Sequence, residues 1–156
     1  MPNAHVNEKV GITNILMGVH LLDSILLIGV AAVVEVKSNV AAQWPQAQHT
    51  SAQLAPLRRS FGATMQMGGI PPSEQIPLFV AGYTGWATME TIETHLAQNP
   101  NVAGILVIDS GLFASSAQFG GLRGTGPLAL WALIAALHFI TNGLQVASTN
   151  PLSYAT

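Results

Sequence analysis

The chain has 156 residues, which suits one domain, but only 8% of them are charged and the mean hydropathy is +0.43. An ordinary soluble domain carries about 25% charged residues, so this composition predicts a protein embedded in a bilayer or buried in a larger assembly. A net charge of −2 without a long basic cluster argues against nucleic acid as a partner, and the absence of cysteine excludes disulfides and thiolate metal sites.

The first long apolar stretch, residues 11–34, predicts a transmembrane helix, with the charges of Glu35 and Lys37 just outside it. As a helix it extends roughly 36 Å, which is enough to cross the ~30 Å hydrocarbon core of a bilayer. His20 and Asp23 stand at i and i+3 and therefore share one helical face. Polar groups in lipid are costly, so we expect this face to meet protein, water or a cofactor.

The segment from 37 to 101 predicts an extramembrane loop followed by an interfacial helix. Residues 37–70 are rich in glutamine, proline and small residues, which favours a loop. Residues 76–96 contain an apolar part too short for a span, with Tyr83 and Trp86 suited to headgroup depth. We therefore expect an amphipathic helix that lies at the membrane surface.

A second span is predicted over residues 102–121, after a break at residues 99–101 that contains Pro100. Its glycines, alanines and serines would allow close helix contact, and Asp109 would need a partner.

A third span is predicted over residues 127–147, with Pro127 in its first turn. His138 lies at mid-depth, and Asn142 at i+4 continues one polar face. The predicted fold is therefore a single all-α integral membrane domain, residues 1–156, with three transmembrane helices and one interfacial amphipathic helix.

The mid-membrane polar groups leave three functions open. His20 and His138 could be axial ligands of a planar cofactor, since a neutral imidazole is a common metal ligand. Alternatively, His20, Asp23, Asp109 and His138 could form a proton or ion path. In the third case each polar group bonds a neighbouring helix and helps to pack a pigment-free scaffold or assembly subunit.

Soluble-enzyme chemistry finds little support in the sequence. The acidic residues are scattered, and no glycine-rich phosphate loop precedes a predicted helix. We therefore predict a protein without enzymatic activity.

Four sequence features, spread over most of the chain, resemble the N-terminal half of the six-helix chlorophyll antenna family. That family includes the iron-stress-induced and prochlorophyte antennae and the inner antenna proteins of photosystem II. The similar pieces are Asn7-Glu8-Lys9 with Gly18-Val19-His20 and Glu35, Pro71 to Gln75 with Gly85-Trp86, Val102 to Leu106 with Gly120 to Gly124, and Leu137-His138-Phe139. The family's second histidine in helix one is Asp23 here, and the predicted second helix has no histidine.

The resemblance implies a small, multi-pass subunit of a photosynthetic complex in a thylakoid or other photosynthetic membrane. It implies that His20 and His138 ligate the magnesium of chlorophyll a, with Asp23 and Asn142 beside them, and that beta-carotene fills grooves between helices. Its partners would be lipid and other membrane subunits of a photosystem or antenna complex. The implied role is light harvesting or the docking of antenna to a photosystem.

Overall fold

A computed structural model describes residues 30–59 and 73–146, which form one mixed five-stranded sheet with three helices. The strands are β1 (Val33–Asn39), β2 (Leu78–Thr84), β3 (Val102–Val107), β4 (Leu112–Ser115) and β5 (Arg123–Thr125). The helices are α1 (Trp44–Leu54), α2 (Met89–Gln98) and α3 (Leu128–Val146), with a 3₁₀ turn at Ala117–Phe119.

The strands lie in the sheet in the same order as in the chain. β1, β2 and β3 are parallel, and α1 and α2 are their crossover connections, as parallel neighbours require. β4 and β5 turn back and pair antiparallel, because short connections suffice for antiparallel neighbours. The first of these connections contains Gly111, whose φ of 60° is a backbone conformation that glycine adopts without steric cost.

Each face of the sheet carries its own apolar core. On one face, Ala47 of α1 and Ile92 and Leu96 of α2 pack on strand residues such as Val80 and Ile105. On the other face, α3 packs Ala129, Leu133 and Ala136, which are spaced at i, i+4 and i+7, against Phe79, Leu106 and Phe113. Burying one leucine or phenylalanine side chain contributes about 1.5–3 kcal/mol, so both layers stabilise the sheet.

The burial of the strands follows their position in the sheet. All six residues of β3 are buried, as is typical of a central parallel strand covered on both faces. In β1, half-buried and exposed residues alternate, because only one face of this strand is covered. β1 is the terminal strand of the sheet within the described ranges 30–59 and 73–146.

The expectation of an all-α membrane fold is wrong, because the central elements are strands. The predicted span 102–121 consists of β3, β4 and the 3₁₀ turn. Its first apolar run, residues 102–108, is only seven residues long and ends at the turn that contains Asp109 and Gly111, which suits a hairpin rather than a bilayer helix. The predicted span 11–34 ends within β1, and its residues 11–29 lie outside the described part of the chain.

The other two predicted segments are also reassigned. Residues 76–96 are not one interfacial helix, because β2 and most of α2 share them. The predicted loop 37–70 contains the end of β1 and all of α1. Most of the predicted segment 127–147 does form a helix, α3 (Leu128–Val146), but one side of it packs against the sheet.

Among the described residues, no helix has both the length and the apolar character that a bilayer crossing requires. Together with the mixed sheet, this finding contradicts the expectation of a transmembrane protein of the thylakoid. It likewise contradicts the expected multi-pass localisation in a photosynthetic membrane.

Candidate functional site

Strand β1 places two opposite charges on one face of the sheet. Glu35 and Lys37 are two residues apart, so their side chains project to the same side. This is the side on which Val33 packs against the core with α1 and α2. A carboxylate and an ammonium group therefore occupy a sheet face that is otherwise used for apolar packing.

The two side chains form an ion pair that α1 partly covers. Lys37 Nζ lies 2.7 Å from Glu35 Oε1, and the side chains are only 10% and 18% exposed, respectively. Lys37 Nζ also donates to Gln46 Oε1 at 3.0 Å, and the Thr50 hydroxyl donates to Glu35 Oε1 at 3.1 Å. Gln46 and Thr50 are one helical turn apart, so a single face of α1 holds both charges.

The second carboxylate oxygen of Glu35 has no such partner. Glu35 Oε2 is buried and accepts no hydrogen bond within the structure. Buried polar groups are nearly always hydrogen-bonded, because an unsatisfied one costs about 1–3 kcal/mol or more. A free carboxylate oxygen beside an ammonium group is therefore the strongest candidate for a ligand-binding atom in the described residues.

The turn between β1 and α1 fixes the helix over this pair. Asn39 Oδ1 accepts a hydrogen bond from the Ala42 backbone N–H at 2.9 Å. Gln43 Oε1 accepts from the Asn39 backbone N–H and from the Ser38 hydroxyl. Pro45 occupies the first turn of α1, where its missing N–H has no helical partner to lose. These contacts position Gln46 and Thr50 over the ion pair.

An aromatic cluster lies on the same side of the sheet. The rings of Trp86 and His95 are stacked with centroids 4.0 Å apart, and Trp44 meets both rings edge-on. His95 Nδ1 is buried without a hydrogen-bond partner, and burial lowers the pKa of this imidazole below its usual value of 6.5. His95 is therefore mainly neutral near pH 7 and belongs to the packing of α2.

The predicted ligand residues are only partly within the described structure. His20 and Asp23 lie outside the described residues. His138 and Asn142 are exposed on α3, and the Asn142 side-chain amide donates to His138 Nε2 at 2.8 Å. Asp109 is exposed in the turn after β3. Residues 30–59 and 73–146 contain no group of three His, Cys, Asp or Glu side chains that could hold a metal ion by themselves.

From the sequence, Glu35 and Lys37 were interpreted as charges that flank a membrane helix, so they were not predicted to form a functional site. The signal was present in the sequence of β1. Val33, Glu35 and Lys37 occupy every second position, and Val34 and Val36 occupy the positions between them. Apolar and polar residues that alternate with period two indicate a strand, and both charges then share one face.

Comparison of the chain with family models, with curated proteins and with solved structures finds no match.

Proposed function

We propose that the chain hydrolyses phosphodiesters with the help of a magnesium ion bound at Glu35, with Lys37 facing the substrate phosphate. The observation that carries this proposal is the buried, unpartnered Oε2 of Glu35 beside the Lys37 ammonium group. The proposal departs from the expectation of a protein without enzymatic activity, which no finding tests.

Packing alone does not account for this pair. Replacing a buried ion pair by apolar residues of similar volume is often neutral or stabilises a protein by about 1–4 kcal/mol. Positions 35 and 37 face the same layer as Val33, so apolar residues would suit them. The retention of two charges at a stability cost favours a chemical role for them.

The free oxygen of Glu35 suits magnesium in particular. A carboxylate oxygen is a hard ligand, and magnesium prefers oxygen ligands. Magnesium usually keeps several waters and needs only one or two protein carboxylates, with substrate phosphates completing its coordination. A site with a single carboxylate in the described residues therefore fits this ion better than zinc, which takes at least three protein ligands.

Lys37 supplies the second requirement of phosphate chemistry. An ammonium beside the metal site attracts an anion and stabilises the negative charge that develops on the phosphate oxygens in the transition state. Gln46 Oε1 accepts a hydrogen bond from the ammonium group and so holds Lys37 in place. In the reaction, a water oxygen bonds to phosphorus, the ester P–O bond breaks, and the leaving oxygen takes up a proton. A magnesium ion held by Glu35 would supply the chemistry of an activated water at this point.

The position of the pair favours a polymeric substrate. β1 is the terminal strand of the sheet in the described part of the chain, so Glu35 and Lys37 stand at a margin of the sheet. A margin accommodates a long molecule that passes along it, whereas small substrates are usually enclosed in a cleft. We therefore assign a nucleic acid strand as the substrate, in departure from the expectation drawn from the net charge of −2, which predicts no long-range electrostatic attraction of such a polyanion.

Hydrolysis of supercoiled plasmid DNA, with and without magnesium chloride, tests the proposal. We expect nicking that depends on magnesium and that falls by about a hundredfold or more in Glu35→Gln and in Lys37→Met. Glu74→Gln is the control, because Glu74 is exposed and precedes β2, whereas Glu35 lies opposite Val80 within that strand. Circular dichroism melts establish that each variant is folded.

Calorimetric titration with magnesium alone separates binding from catalysis. Glu35→Gln should abolish the binding heat, whereas Lys37→Met should retain it. The proposal fails if the folded wild-type chain neither binds magnesium nor nicks DNA, or if Glu35→Gln cleaves at the wild-type rate.

Binding of chlorophyll a and beta-carotene, with His20 and His138 as magnesium ligands, stays a prediction that no finding tests. The same holds for the alternatives of a scaffold subunit and an ion path. The proposed hydrolysis is preferred because Glu35 and Lys37 are in contact with each other and one oxygen of Glu35 is buried without a hydrogen-bond partner among the described residues.

A further inference from the structure

A cavity lies between α2, the end of β4 and β5, and the function proposed above does not use it. It has a volume of about 380 Å³, within the range of small-molecule sites. Its wall includes Leu96 and Ala97 of α2, and its polar groups come from Glu93, Ser116 and Arg123. The cavity therefore combines an apolar wall with both signs of charge.

The two charges at this cavity are paired with each other but remain open to solvent. Arg123 Nε lies 2.5 Å from Glu93 Oε1, and the side chains are 69% and 34% exposed. Exposed ion pairs contribute little to stability, so a ligand separates this pair at small cost. An anion bound to Arg123 alone would be repelled by Glu93, and a cation on Glu93 would be repelled by Arg123. A ligand that bears both charges satisfies both side chains.

The serines of the cavity differ in their hydrogen bonding. Ser115 Oγ accepts from the Leu122 backbone N–H at 2.8 Å and donates to the Phe119 carbonyl oxygen at 3.2 Å. Ser116 Oγ is buried and has no hydrogen-bond partner among the described residues, although the Ser116 backbone N–H donates to the Ala103 carbonyl oxygen and its own carbonyl oxygen accepts from Phe119 and Gly121. Ser116 lines the cavity, so a rotation of its side chain would let the unpaired hydroxyl donate to or accept from a ligand.

We infer that this cavity binds a small zwitterion, a free α-amino acid with an aliphatic side chain. Its carboxylate bonds to Arg123 and its ammonium group bonds to Glu93. The Ser116 hydroxyl supplies a third hydrogen bond, and the aliphatic side chain packs against Leu96 and Ala97. This inference rests on different residues from the proposed hydrolysis and is independent of it.

Isothermal titration with three related probes tests the need for both charges. L-leucine has both, leucinamide lacks the carboxylate, and N-acetyl-L-leucine lacks the ammonium group. We expect saturable binding of L-leucine and affinities at least about tenfold lower for the other two, since a hydrogen bond to a charged group is worth about that factor. Equal binding of all three probes, or no saturable binding of L-leucine, overturns the inference.

Variants assign the binding to the named residues. Arg123→Gln and Glu93→Gln should each weaken L-leucine binding about tenfold or more. Glu90→Gln, exposed one turn earlier on α2, is the matched control and should bind normally. Ser116→Ala should weaken the binding of L-leucine. It should not lower the melting temperature of the ligand-free protein, because the Ser116 hydroxyl makes no hydrogen bond among the described residues. Unchanged affinity in Arg123→Gln or Glu93→Gln refutes the assignment.

Discussion

At the scale of single residues, His95 shows how burial selects a protonation state. The imidazole is stacked on Trp86 and meets the edge of Trp44, and its Nδ1 is buried without a hydrogen bond. Desolvation lowers its pKa because the charged form loses its hydration. The native structure therefore favours the neutral ring.

This environment predicts a loss of stability in mild acid. In the unfolded chain His95 binds a proton near pH 6.5, whereas the native pKa is lower, so unfolding takes up a proton between these two values. The free energy of unfolding should therefore fall as the pH drops below about 6.5, until the native pKa is passed. Urea unfolding over a pH series measures this dependence.

His95→Gln should remove this part of the acid sensitivity, and exposed His49→Gln should leave it in place. Histidine titrates at about pH 5–7. If the free energy of unfolding of His95→Gln and of the wild-type chain falls equally with pH over this range, desolvation of His95 is not the cause of the acid sensitivity.

The candidate site could be predicted from the sequence only in part. Alternation along Val33–Lys37 indicates a strand with two charges on one face. The burial of Glu35 Oε2 depends on tertiary packing, which local pattern does not specify. His138 and Asn142 were expected on one helical face, and they do lie on α3 in mutual contact, but pigment ligation by His138 stays untested.

At the scale of elements, α3 packs closely against β5 at Gly124. A Cβ atom on Gly124 would lie 2.6 Å from the Leu128 carbonyl oxygen and 2.7 Å from Ala129 Cα. Both neighbours are backbone atoms, which do not move aside as a flexible side chain does. The absence of a side chain at position 124 thus sets the distance between helix and strand.

Two alanine substitutions should therefore have opposite effects. Gly124→Ala should lower the free energy of unfolding by about 1–3 kcal/mol, because α3 must shift away from the sheet. A Cβ atom on Gly143, which lies in α3, would meet no described atom within 4 Å. Gly143→Ala should therefore raise the free energy of unfolding by about 0.5–1 kcal/mol, because alanine has the better helix propensity. Chemical denaturation measures both values. A neutral Gly124→Ala variant would contradict the close packing of α3 on β5.

Element types were predictable where local signals were strong. Pro127 at the start and the apolar periodicity after it predict the helix that α3 forms. The break at residues 99–101 is also observed, as the turn between α2 and β3. The run Val102–Val107 was misassigned because a short apolar run suits a buried strand as well as part of a helix. Its length and its valines and isoleucine favoured the strand.

At the scale of the whole molecule, one sheet separates two cores. Ile92 is fully buried on the α1 and α2 side, and Leu133 is buried beneath α3 on the other side. Both cores share β2 and β3, whose residues point alternately to the two faces. The two layers should therefore unfold together.

Truncation of each core tests this coupling. Ile92→Ala and Leu133→Ala should each cost about 2–5 kcal/mol. Their effects should add within about 0.5 kcal/mol, since the two side chains lie on opposite faces and share no contact. Denaturation followed by tryptophan fluorescence and by circular dichroism should give one coincident transition. Two separate transitions would indicate that the layers are independent.

The fold class was not predictable from composition, for a reason visible in α3. Apolar residues fill two cores and also occupy the outer side of this helix, where Leu128, Leu130, Trp131, Ile134 and Phe139 are exposed. In the described residues, apolar side chains therefore belong to a sheet buried on both faces and to an apolar helix surface, whereas the composition predicted membrane spans. Composition alone does not distinguish these arrangements.

The order of the strands also bears on synthesis by the ribosome. Because each strand pairs with its neighbours in the chain, β4 meets β3 after only a short turn has emerged. β1 ends at Asn39, and its partner β2 ends at Thr84. At roughly 5–20 residues per second, the roughly 45 residues between these points take about 2–9 s to translate. Among the described strands, the delay between the synthesis of a strand and that of its next partner is therefore longest for β1, which bears Glu35 and Lys37.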